Sequence, residues 1–84
     1  MANKFHIRLA SGNHHDRLEL ISELVRRNIW FESFPYSPVK VYDAPEAPVS
    51  KADIFKIGEQ LNASIFVNDR LEMSNGVDLT DYLP

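Results

Sequence analysis

The chain contains no cysteine, and that absence removes a whole branch of chemistry. No disulfide can staple the fold, and no thiolate is available to attack a disulfide or hold a zinc ion. Glycine is scarce, at Gly12, Gly58 and Gly76 only, so there is no glycine-rich loop to wrap a phosphate. No apolar run approaches the roughly 20 residues of a membrane-spanning helix, and no N-terminal apolar stretch resembles a secretion signal. Without a spanning segment, no membrane partner is expected. Without cysteines to oxidise, the expected location is the cytoplasm. There is no Gly-x-Ser-x-Gly elbow and no His-x-x-x-His pair, so neither a hydrolase nucleophile nor a helical zinc site is signalled. No catalytic residue, cofactor or metal site is expected.

What is present is an ordinary apolar fraction, 44% of 84 residues, with a net charge of −3. A chain this short forms one domain, residues 1–84, close to the lower size at which a core suffices without staples. The negative balance disfavours nucleic acid as a partner, although a local basic patch is compatible with it.

Hydrophobic spacing predicts the elements. Phe5, Ile7 and Leu9 alternate with polar residues, as in a half-buried strand. After the break at Ala10-Ser11-Gly12-Asn13, Leu18, Ile21, Leu24 and Val25 recur at helical spacing to about Asn28. Asp16, with Glu19 three residues on, fits an N-cap, and Asn13 with Asp16 offers an earlier start. Residues 29–34 are aromatic and branched, which suits a second strand. Pro35 and Pro38 then force a turn, and Val39-Lys40-Val41-Tyr42 alternates as a third strand in a hairpin with the second. Ser50 and Asp53 form a capping pair that opens a second helix to about Leu61, with Ile54, Ile57 and Leu61 on its buried stripe. Gly58 lies beside that stripe, where it allows close packing. Residues 64–67 form a compact apolar strand, Asn68-Asp69-Arg70 turns into Leu71-Glu72-Met73, Asn75-Gly76 turns again, and residues 78–83 read as a last capped helical turn.

Two architectures accommodate this order. One is thioredoxin-like, β-α-β-(β)-α-β-β-α, with the first strand-helix-strand unit as a right-handed parallel crossover. The other is a ferredoxin-like α+β sandwich, in which Val39 to Tyr42 is a full core strand and the terminal hairpin is an appendage.

Ser11-Gly12-Asn13-His14-His15-Asp16 resembles the glutaredoxins, which place a glycine and then Cys-x-x-Cys between first strand and first helix. The resemblance puts Asn13 at the nucleophilic cysteine and Asp16 at the resolving one. Ile65-Phe66-Val67-Asn68-Asp69-Arg70 resembles that family's strand and turn after its cis-proline, with Ala63 or Ser64 at the proline position. Met73-Ser74 falls near its paired glycines, and Val77-Asp78-Leu79 resembles the acidic start of its last helix. The likeness spans both outer thirds. The middle, with four prolines from Pro35 to Pro48, does not match. It implies a glutaredoxin-like scaffold from which the chemistry has been removed.

His14, His15 and Asp16 are the densest cluster of side-chain chemistry. Adjacent residues on one turn rarely converge on an ion, so they read as a surface turn and as partner-contact residues. Trp30, Phe31, Phe34, Tyr36 and Tyr42 crowd the middle. In a strand, Trp30 and Phe31 point to opposite faces. Either that strand is central and covered on both sides, or Trp30 or the Phe34-Pro35-Tyr36 turn is an exposed contact patch. The expected function is therefore a non-catalytic protein-binding module, an adaptor or inhibitor such as a phage-encoded modulator of a host protein. Its expected binding residues are Asn13, His14, His15, Asp16, Trp30, Phe34 and Tyr36, and self-association through an edge strand is compatible with either fold. The alternative expectation is a ferredoxin-like domain that binds nucleic acid or a small ligand on its sheet face.

Overall fold

The structure is a computed structural model and describes residues 3–10 and 14–83. Its elements follow in the order β1 (Lys4–Arg8), α1 (His14–Arg26), β2 (Phe31–Glu32), β3 (Val39–Tyr42), α2 (Lys51–Leu61), β4 (Ser64–Val67), β5 (Arg70–Ser74) and β6 (Val77–Asp78), closed by a 3₁₀ turn at Thr80–Tyr82. All six strands join one sheet in the order β2-β3-β1-β4-β5-β6, and every neighbouring pair is antiparallel.

That order bears directly on the expected parallel crossover from β1 through α1 to β2. β1 and β2 do run in the same sense, but β3 lies between them and pairs with both. The same relation holds for β3 and β4, with β1 between them. Val39 to Tyr42 is thus an interior strand, in register Phe5 opposite Val41 and Ile7 opposite Val39.

Strand alternation then sorts the faces. Phe5, Ile7, Val39, Val41, Ile65 and Val67 point one way and are buried. On that side they join Leu20 and Leu24 from α1 and Ile54, Phe55 and Ile57 from α2 in one hydrophobic cluster. Gly58 brings α2 down onto the sheet. A Cβ there would stand 2.5 Å from Met73 Sδ and 2.6 Å from Ile65 Cδ1, so any side chain would hold the helix off.

The helices end alike. Asn28 takes the left-handed conformation at φ 58°, with Asn28 N–H donating to Val25 O and Ile29 N–H to Leu24 O. This closes the last carbonyls of α1 and buries Ile29 behind Leu24. Asn62, at φ 53°, does the same for α2, with Ala63 N–H on Gly58 O. The first of these caps shortens the second strand. Ile29 belongs to the helix stop, so only Phe31 and Glu32 pair with β3. β2 is an edge strand and not a central one. Phe31, opposite Val41, packs against the core while Trp30 is 62% exposed.

Two other boundaries move. α1 begins at His14, so Asp16 is a first-turn acid near the positive end of the helix dipole and not the N-cap. Asn13 lies outside the described residues. The expected last helical turn is instead the short strand β6 followed by the 3₁₀ turn. There Asp78 Oδ1 accepts hydrogen bonds from Thr80 N–H at 2.9 Å and from its hydroxyl at 2.6 Å, which hold the Asp78 carboxyl below the usual carboxylate range. No described helix is long and apolar enough to cross a membrane.

Candidate functional site

At one end of the sheet, where β1 finishes and α1 begins, the loop between β2 and β3 closes over a groove of about 770 Å³. Its floor is the edge of the core, at Ile7, Leu20 and Val39. Its walls carry Arg8, His14 and Arg17 on one side and Phe34 and Tyr36 on the other.

Arg17 organises this end. Its guanidinium donates to Ser37 O at 3.0 Å, to Phe34 O at 2.6 Å and to Ser33 Oγ at 2.7 Å. One planar, multiply donating head thus ties helix α1 to both sides of the loop. The loop backbone turns through Ser37 N–H on Phe34 O, and Tyr36 sits at φ 62° with its side chain wholly in water. A non-glycine residue in that region costs on the order of 1 kcal/mol. The tyrosine ring recovers none of that cost by packing. Arg8 is exposed and, among the described residues, forms no ion pair.

Of the residues expected to bind, His14, Phe34 and Tyr36 meet at this groove. His15 turns instead toward the cleft between the helices, with Nε2 3.1 Å from Glu19 Oε1. Asp16 lines neither cavity. Trp30 is exposed but does not line the groove. The expected binding residues included neither Arg8, which reads in the sequence as one of several scattered solvated charges, nor Arg17. Among the described residues no group of three or more His, Asp or Glu converges in a way that would hold an ion.

The sheet face opposite the helices has its own chemistry. β1 presents Lys4, His6 and Arg8 there, between its buried Phe5 and Ile7. The cross-strand neighbours are Tyr42 beside Lys4, Lys40 and Phe66 on either side of His6, and Ser64 beside Arg8. His6 is enclosed enough that its Nε2 has no contact with solvent and no hydrogen-bond partner. Burial first, then the charges of Lys4 and Lys40, lowers its pKa from the ordinary 6.5, with Asp69 opposing.

The native state therefore favours neutral His6, and the unfolded chain takes up the proton first as pH falls. The stability contributed by keeping this ring neutral is complete above pH 6.5 and is lost progressively below it. His6→Gln is expected to lose less stability than the parent between pH 7.5 and 5.5, measured by urea unfolding at both values. Equal losses in the two proteins would remove His6 as the cause.

Comparison of the chain with protein-family models, with curated proteins and with solved structures returns no match.

Proposed function

We propose that this protein is a non-catalytic protein-binding module that docks through the groove between α1 and the β2–β3 loop. The observation that carries the reading is the pairing of a tied backbone with untied aromatics. Arg17 fixes the loop by three hydrogen bonds, while Phe34 is 57% exposed and Tyr36 fully so. A preordered loop loses little conformational freedom on association, and aromatic side chains are the commonest interface anchors. Arg8 beside those rings favours a partner segment that carries acidic as well as apolar residues. The antiparallel placement of β3 beside β1 favours the ferredoxin-like order for the scaffold over the thioredoxin-like one, with β5 and β6 as an added hairpin.

The test is photo-crosslinking from position 36 in the cells that make the protein, with position 56 on the exposed side of α2 as control. One discrete adduct from position 36, absent from position 56 and weakened by Arg17→Ala, is the expected result. An adduct of twice the chain's own mass would make the partner a second copy. Indiscriminate adducts from both positions, or none from position 36, would overturn the groove as a docking site.

A further inference from the structure

We propose that the open face of the sheet, away from the groove's aromatic lip, binds single-stranded nucleic acid. The argument begins with where the charges are. The chain as a whole is acidic, with 12 Asp and Glu against 9 Lys and Arg. Three of the four interior strands, β3, β1 and β4, contain no Asp or Glu, while the fourth, β5, carries Glu72. Their open face carries Lys4, Arg8 and Lys40, with Glu32 of β2 across the ladder from Lys40 and Asp69 of the β4–β5 turn against Lys4. Lys4 is partly engaged by Asp69 at 3.2 Å, whereas Lys40 and Arg8 form no ion pair among the described residues.

Flat rings stand among these cations. Phe66 and Lys40 flank His6 across the ladder, and Tyr42 flanks Lys4. Cross-strand neighbours on one face lie about 4.5–5.5 Å apart, and successive residues on the same face of a strand about 6.6 Å apart. The face is therefore a grid on which rings and positive charges alternate at contact spacing. Stacking on side-chain rings needs bases that are not already stacked in a duplex, while cations hold the phosphates. A polypeptide partner of the same charge would use the lysines and the arginine but gain less from rings set between them.

The probe is a fluorescein-labelled 15-nucleotide oligothymidylate or oligouridylate, read by fluorescence anisotropy from 25 to 200 mM salt. Saturable binding is expected, with affinity falling as salt rises by about 0.7 in the logarithmic slope for each phosphate contacted. The double variant Lys40→Ala/Arg8→Ala should flatten that slope by about 1.4 and weaken binding at every salt concentration. Phe66→Leu keeps an apolar side chain in place and should weaken binding about tenfold with the slope unchanged, because it removes stacking and no charge. Lys56→Ala, on the exposed side of α2, should leave binding as it was, and a duplex of the same length should bind more weakly than the single strand. Each variant is first checked for an unchanged thermal midpoint, and Phe66→Ile replaces Phe66→Leu if that one fails to fold. No saturable binding at 25 mM salt would overturn the proposal, as would equal weakening by Lys56→Ala. Competition by polyglutamate as effective as that by the oligonucleotide would also overturn it and assign the face to an acidic protein.

Discussion

Phe5→Ala is expected to cost about 3–5 kcal/mol, a large share of the reserve of a chain of 84 residues at about 0.05–0.15 kcal/mol per residue. Phe5 has no solvent exposure. It lies on the central strand, with Val41 on one side and Val67 on the other, so the space vacated by its ring is bounded by two β-strands and cannot collapse. Urea unfolding checks this. With a slope of about 1 kcal/mol per molar for so small a domain, the midpoint drops by about 3 M, or the folded baseline disappears. Val77→Ala is the contrast. Val77 is also an apolar strand residue, but it lies on β6 and is 58% exposed, so its loss should change stability by no more than about 0.5 kcal/mol. Similar losses for the two would mean that the core is not organised around β1.

Arg17→Ala is the second large effect, and it differs in kind. Hydrogen bonds to a charged donor contribute about 1.5–3 kcal/mol when their partners are enclosed. The three acceptors here are part-buried or at the surface, so water replaces some of the loss and the expected cost is about 2 kcal/mol. The local consequence is sharper than the global one. Amide exchange at Ser37, whose N–H closes the loop turn, should accelerate far more than exchange in β1 or β4. Arg17→Lys should not restore protection, because an ammonium lacks the fork that reaches two carbonyls and a hydroxyl together. Unchanged exchange at Ser37 in Arg17→Ala would show that the loop holds its own shape, and the preordering argument for the groove would fail.

The contrast between these two residues explains what was legible in the sequence. Phe5 is visible because alternation with Ile7 and Leu9 marks a strand. The same kind of periodicity marks the buried stripe of α2 and the place of Gly58 beside it, while residue type marks the β4–β5 turn at Asn68-Asp69. Pairing order is not written in any local pattern. That β3 inserts between β1 and β2 depends on which edges meet, whereas the Asn28 cap sets only how short β2 is, by taking Ile29 out of the strand. Arg17 had no signal of its own, since two of its three acceptors are backbone carbonyls, which any residue type provides. His14, Phe34 and Tyr36 were legible as exposed chemistry, but their convergence on one groove was not. Net charge is a coarse guide for a related reason. It sums over the whole chain and is blind to three acid-free strands lying side by side.

The two edges of the sheet carry a further consequence. β2 and β6 are each two residues long, and each includes an acid, Glu32 or Asp78. A strand added from another molecule would find only a couple of backbone groups to pair with, beside a negative charge that repels its own copy. Growth of the sheet by stacking chain upon chain is thereby blunted at both ends. The brevity of its margins thus works against fibrous aggregation at high concentration.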